Sequence, residues 1–270
     1  MNDLRSRPAG NNAVSARTVA VLGLGEAGSR LAADLVAAEA DVRGYDPVIA
    51  VTPEGVVRAP DPIAAVRGGA LVLVLTTASA ALAAAESVLP GLQPGAVYAD
   101  LNTAPPALKR ELAALVNGAG ARFADVALLG PVPARGLGTP ALASGDGARA
   151  FAEVLVPLGM PVEVVSEQAG DAATLKLLRS VFMKGLATSA IESLRAAEAA
   201  GHGEWLRGEL AGVIGEPLLE RLLEGSRKHA ARRVDEMEAA RELLLELGIE
   251  PRIASASAAL LAELAAGEER

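Results

Sequence analysis

Apolar and polar positions along the chain fall into two regimes. From Thr18 to Ser166, short apolar runs alternate with Ala-rich stretches. Val19–Gly23, Asp41–Asp46, Ala70–Thr77, Ala96–Asn102, Arg122–Leu129 and Pro161–Ser166 predict strands. Glu26–Glu39, Ala78–Leu89, Pro106–Val116 and Gly147–Leu158 predict helices between them. Near-continuous apolar strands separated by helices mean a mostly parallel sheet covered on both faces. Right-handed crossovers make it doubly wound, a Rossmann-type α/β fold. After Ser166 the strand pattern stops. Asp171–Ala200, bounded by Gly170 and Gly201, predicts one helix of about 45 Å at ~1.5 Å per residue. A helix that long leaves a compact sheet domain and enters a second region. Leu206–Val213, Pro217–Leu223, Ser226–Leu247 and Ile253–Ala266 predict further helices there, making it all-α. The chain thus divides into a disordered tail (1–16), a sheet domain (17–166) and a helical domain (167–270).

Composition narrows the chemistry. Hydrophobic residues make up 51% and aromatics 2%, so the core is built from Ala, Val and Leu. A net charge of −8 argues against nucleic acid and against an anionic membrane surface as partners. The absence of cysteine excludes disulfides, thiolate catalysis and Cys-based metal sites. With His202 and His229 the only histidines, no metal is expected. Apolar runs stop short of the ~20 residues of a membrane span. Arg5 and Arg7 have no apolar block behind them, so no signal peptide is expected and the protein reads as cytoplasmic.

One turn carries a specific signal. Gly23-Leu24-Gly25-Glu26-Ala27-Gly28 is a G-x-G-x-x-G sequence that follows a strand and opens a helix. Its unit ends at Asp46, 18 residues past Gly28. That context makes it a dinucleotide fingerprint. Gly23 permits the tight turn, Gly25 lets the backbone approach the pyrophosphate, and Gly28 lets helix and strand pack closely. The alternative is a Gly-rich turn that binds nothing. Asp46 is placed to bond the adenosine ribose hydroxyls and repel a 2′-phosphate, which favours NAD. Arg43 and Arg58 keep NADP open, and Asp46-Pro47 also reads simply as a turn initiator. Thr76, Thr77 and Asn102 end strands, where ligands sit in such sheets; the competing role is capping the helices that follow.

Four stretches together resemble the β-hydroxyacid dehydrogenases, in particular the 6-phosphogluconate dehydrogenase-like, NAD-binding branch with a distinct C-terminal domain of uncharacterised function. They are Gly23–Gly28, Asp100–Thr103, the Gly-rich segment from Asp125 to Thr139, and Gly170-Asp171-Ala172-Ala173-Thr174-Leu175-Lys176. The resemblance covers nearly the full length. It implies hydride transfer between nicotinamide and a hydroxyl-bearing carbon, with Lys176 as proton donor and acceptor, and with Thr76, Thr77 and Asn102 near the nicotinamide. The competing reading of Lys176 is a solvated helix lysine, yet the chain has only four lysines among 25 Lys and Arg, and Lys is the one that titrates readily.

The chain departs from the family pattern in three places. Ser180 stands where the family commonly has Asn, about 40° round the helix from Lys176, with Lys184 about 80° round, so the three can line one cleft. Met183 stands where decarboxylating members carry Glu, which puts decarboxylation in doubt. Leu129-Gly130-Pro131 replaces a polar Ser-Gly-Gly at the substrate, implying a larger or more apolar substrate. His229, Arg232, Arg233 and Glu236 read as one helix face, either a solvated ion-pair stripe or a face in which His229 and Arg233 meet a substrate anion. Excess leucine (Leu218, Leu219, Leu222, Leu223; Leu243, Leu244, Leu245, Leu247) and the resemblance predict a homodimer through the helical domain. The functional expectation is an NAD(P)-dependent oxidoreductase acting on a 3-hydroxy acid or related hydroxyl or carbonyl compound. The alternatives are an imine reductase-like enzyme, which Lys176 argues against, and a non-catalytic dinucleotide-binding dimer.

Overall fold

The structure, a computed structural model, describes residues 18–268; the expected tail lies outside the described residues. Eight strands form one sheet: β1 (Val19–Leu22), β2 (Val42–Tyr45), β3 (Val57–Arg58), β4 (Leu71–Val74), β5 (Val97–Asp100), β6 (Arg122–Leu128), β7 (Ala141–Ser144) and β8 (Val162–Ser166). Their order is β3-β2-β1-β4-β5-β6-β7-β8, parallel throughout except for the antiparallel β6–β7 pair. The first six strands have the 3-2-1-4-5-6 order of a doubly wound sheet.

The period of two along each strand divides the core. Val19 and Val21 face Leu31 and Leu35 of α1 (Glu26–Ala37), with α6 (Ala148–Leu155) beside it. Ala20 and Leu22 face the other way, in one cluster with Leu112 and Val116 of α4 (Pro106–Gly118). The short helices α2 (Pro62–Val66) and α3 (Ala81–Val88) complete that side. Two strands go beyond the sequence pattern. β3 is two residues long and exposed, and β7 is Ala-Leu-Ala-Ser, without the β-branched or aromatic residues that mark a strand. The segment between β6 and β7 contains α5 (Val132–Arg135) and is tied to α1. Arg30 donates to Pro133 O at 3.1 Å, and Asp34 accepts from Leu137 N at 2.9 Å.

The long helix α7 spans Asp171–Ala199. Its buried face changes along its length. Ala172 and Ala173 sit against the sheet, through hydrogen bonds to Ser144 and Asp125. Leu177 packs with Met237, Leu243 and Leu261, and Ile191 with Leu219 and Leu223. Its partners in these clusters come from α9 (Glu216–Lys228), α10 (Ala230–Glu246) and α11 (Arg252–Glu268); α8 (Gly203–Ile214) also packs on it. The helix expected over Ser226–Leu247 is in fact broken at His229, whose φ and ψ are −128° and 30°. Ser226 Oγ bonds back to Leu222 O, Arg233 donates to that same hydroxyl, and the Arg233 guanidinium covers Gly225. A Gly–Ser pair with a back-bonded hydroxyl is a common place for a helix to turn. His229 therefore sits at a joint rather than on a continuous face with Arg232, Arg233 and Glu236.

Candidate active site

The glycines of the turn have three distinct reasons to be glycine. Gly23 has φ +91°, and a Cβ there would lie 2.3 Å from Leu75 O. At Gly28 a Cβ would lie 1.9 Å from Gly23 O. At Gly25 a Cβ would meet nothing within 4 Å. The first two serve the fold, whereas Gly25 leaves open space at the N-terminus of α1, where backbone N–H groups and the positive helix end favour an anion. Leu24, Glu26 and Ala27 complete the turn, and Glu26 is the acidic first residue of the helix. A dinucleotide pyrophosphate fits this arrangement.

Asp46 is buried, and its carboxylate holds the turn. It accepts from Leu24 N, Val48 N and Ile49 N, each at 2.8 Å. Burial opposes the charge, but the three backbone donors and Arg58 outweigh it and keep the carboxyl below its ordinary range. Arg58 donates to Asp46 O and Ile49 O, both at 2.6 Å, and Arg43 donates to Arg67 O at 2.7 Å. Both arginines are thus bound to backbone carbonyls. At the ends of β4 and β5, Asn102 Nδ2 donates to Thr76 Oγ1 at 3.2 Å and to Asp100 Oδ1 at 2.5 Å. Asn102 Oδ1 is buried without a partner. The Thr77 hydroxyl meets Ser79 Oγ at 3.0 Å and does not cap the following turn.

Lys176 reaches this same edge from α7. Its Nζ donates to Thr103 Oγ1 at 2.7 Å. Asn102, Thr103, Asp125, Ala173, Lys176 and Leu177 line one small cavity between the sheet and α7. Burial is the main influence on the ammonium; Glu236 opposes it, while Lys109, Lys184 and Arg232 add to it. Together they push Lys176 down to about 8.

The other expected site residues divide into groups. Ser180 is buried and donates to Glu236 Oε1, and Lys184 reaches the same oxygen at 2.8 Å and Ser180 Oγ at 3.1 Å. Burial works against the Glu236 carboxylate, but Lys184, Ser180 and Lys176 outweigh it and hold it below its ordinary range. Leu129, Gly130 and Pro131 follow β6, where Leu129 N donates to Pro140 O at 2.8 Å. They are not walls of the Lys176 cavity. Nor are His229 and Arg233, although His229 feels the charge of Glu26 in the glycine turn. Burial first, then Arg232, Lys228 and Arg233, lower the His229 pKa.

A set of buried polar residues was not singled out by the sequence. Lys109 of α4 is fully buried. Its Nζ lies 2.9 Å from Asp100 Oδ2, 3.1 Å from Asp125 Oδ1 and 2.9 Å from Asp100 O. Burial opposes its charge, but the two carboxylates outweigh that and raise its pKa. Asp125 Oδ2 accepts from Ala173 N at 3.0 Å and Ser144 Oγ at 3.3 Å. One signal was available: Lys109 stands in the apolar face of α4, in series with Pro106, Leu112 and Val116.

Comparison with known proteins agrees with this architecture. Residues 18–162 match the NAD binding domain of 6-phosphogluconate dehydrogenase, and residues 197–264 match a domain of unknown function, DUF1932. A conserved hypothetical protein from Sinorhizobium meliloti 1021 is 30% identical, covering 92% of this chain and 88% of its own, with a TM-score of 0.75. The 3-hydroxyisobutyrate dehydrogenase of Mycobacterium tuberculosis shares the fold at 20% identity and a TM-score of 0.79, covering 93% and 94%. An uncharacterised 28.5 kDa protein of Methanothermus fervidus is 27% identical over 162 residues, 57% of this chain and 61% of its own length; the chain thus spans about three fifths of that relative. The strand order, the glycine turn and the matched residues place this chain in the 6-phosphogluconate dehydrogenase-like family of NAD-binding proteins, with a DUF1932 domain behind the sheet.

Proposed function

We propose that the chain is an NAD(P)-dependent oxidoreductase that interconverts a 3-hydroxy acid, or a related hydroxyl compound, and its carbonyl form. The carrying observation is Lys176: a lysine in the cavity between the sheet and α7, shifted to about 8, beside Asn102 and Thr103 at the carboxyl edge of the sheet. Gly23–Gly28 hold the pyrophosphate, and Thr76, Thr77 and Asn102 orient the nicotinamide end. When bound, the cofactor accepts or supplies the hydride at the substrate carbon. Lys176 Nζ takes the hydroxyl proton in oxidation and returns it to the carbonyl oxygen in reduction. Thr103 Oγ1 holds that nitrogen in place beforehand. Lys176, Lys184 and the nearby Arg232 and Arg233 outnumber Glu236, which suits an anionic substrate. Outside the Lys176 cavity itself, Ser180, Lys184, His229 and Arg233, with Leu129–Pro131 on the sheet side, would form the outer surroundings of the substrate, and the apolar Leu129-Gly130-Pro131 favours a bulkier acid than a small polar one. Asp46 favours NAD over NADP.

Turnover measured with 2- and 3-hydroxy acids, amines and imines, in wild type and Lys176→Met, tests the reading. The expected result is activity on hydroxy acids that falls ~10²–10⁴-fold in the variant while cofactor affinity holds. Activity confined to imines, or full turnover by the variant, would overturn it.

A further inference from the structure

Two groups of the site stand on different domains, Asn102 at the end of β5 and Lys176 on α7. A continuous buried chain joins them. Asp100 Oδ1 accepts the Asn102 side-chain amide, and Asp100 Oδ2 meets Lys109 Nζ at 2.9 Å. Lys109 Nζ meets Asp125 Oδ1 at 3.1 Å, and Asp125 Oδ2 accepts Ala173 N, one turn before Lys176. Ser144 doubles the last link: its hydroxyl donates to Asp125 and accepts from Ala172 N. An ammonium has three donors. That of Lys109 donates to Asp100 O and lies within ion-pair distance of both carboxylates.

We propose that Lys109 is a positioning residue that sets the placement of Asn102 and Lys176 relative to each other, by clamping the two carboxylates that hold them. This rests on the functional reading above for what the pair does, and on geometry alone for how the pair is held. Without the clamp, two like charges would face each other in a buried space, and one would protonate or move. Either event alters the acceptor for Asn102 or for the first turn of α7. A lysine merely filling space would leave both unaffected. Lys109 lines no wall of the Lys176 cavity; apart from the direct effect of its charge on Lys176, its effect on placement passes through Asp100 and Asp125.

The presence of only four lysines makes a direct test practical. The ε-carbons are labelled with ¹³C, and the Lys176 resonance is assigned by its loss in Lys176→Arg. It is then titrated in wild type, in Lys109→Met and in Lys109→Met/Asp125→Asn. The double variant keeps the net charge of the buried group, because one cation and one anion leave together. The groups facing Lys176 are Lys109 from α4, Lys184 from α7, and Arg232 and Glu236 from α10. In wild type the expected Lys176 titration lies at about 8. In folded Lys109→Met the loss of the Lys109 charge raises the Lys176 titration by itself, so the readout specific to the clamp is amide exchange at Ala172 and Ala173, which quickens in the first turn of α7 while the rest of the helix is unchanged. Unchanged exchange of the Ala172 and Ala173 amides in folded Lys109→Met would overturn the proposal, as would failure of both variants to fold, which would make Lys109 a folding determinant only. The functional reading fails separately, if Lys176→Met retains turnover while the Lys176 resonance behaves as expected.

Discussion

At the scale of single residues, the glycine turn separates fold from binding. Gly28→Ala places a methyl against a backbone oxygen that cannot yield. It should cost ~1–3 kcal/mol, seen as a lower melting temperature. Gly25→Ala meets nothing in the protein, so its melting temperature should match wild type while cofactor affinity falls. Equal affinity in Gly25→Ala would remove the pyrophosphate from this turn. Asp46 divides its lone pairs: three are taken by backbone amides, and a carboxylate has about four. The remaining direction suits a ribose hydroxyl, and the charge repels a 2′-phosphate. Titration of both cofactors should give tighter binding of NAD, the more so because Arg43 and Arg58 are occupied by carbonyls. On the proposed function, Lys176 would impose a pH dependence with a definite sign. Oxidation needs its neutral form, so that rate should rise with pH through about 8; reduction needs its protonated form and should fall above it. A pH-independent rate from 6 to 10 would count against the lysine as the proton carrier.

At the scale of elements, the Gly-rich segment after β6 acts as a strap on the cofactor helix. Its contacts to Arg30 and Asp34 cross 103 residues of sequence. Gly136 has φ +53° and leaves no room for a side chain beside Asp34. Asp34→Ala leaves Leu137 N without its acceptor, a loss of ~1–3 kcal/mol. Amide exchange should quicken at 136–138 first, with the sheet strands unchanged; uniform quickening would mean that Asp34 supports the whole domain instead. The α9–α10 joint is a second case. Periodicity alone runs one helix through His229, because the apolar spacing continues across it. At the joint Arg233 reaches back to the back-bonded Ser226 hydroxyl, a feature that apolar spacing does not record.

At the scale of the whole molecule, the apolar surface left uncovered is not where leucine content alone points. Leu219, Leu223 and Leu243 are buried within the chain's own helical clusters and Leu222 and Leu244 are buried as well, while Leu245 and Leu247 are exposed. The exposed apolar residues include Leu175, Leu178 and Phe182 on α7, with Trp205 and Val213 on α8. Leu175, Leu178 and Phe182 are spaced as one helix face, and Phe182 is 68% exposed. We propose that a second copy covers this face in a two-fold homodimer. Light scattering at low micromolar concentration should give the dimer mass for wild type and the monomer mass for Phe182→Asp. A monomeric wild type would refute the dimer, and a dimeric Phe182→Asp would move the interface elsewhere. Among the described residues, no helix is long and apolar enough to cross a membrane.

Sequence by itself determined the features that depend on short-range spacing. The alternation of strands and helices defines the doubly wound sheet, because each buried strand announces itself in a few consecutive apolar residues. Gly23, Gly25 and Gly28 stand out through three positions in six, and Lys176 through its motif at the start of one long helix. The tertiary structure decided which charges are buried and against what. Lys109 reads as an interruption in an apolar stripe until Asp100 and Asp125 arrive from two strands to neutralise it. The partner of the Ser180 hydroxyl, Glu236, arrives from α10. A buried charge is tolerated only where partners from other elements converge on it, and no local pattern records that convergence.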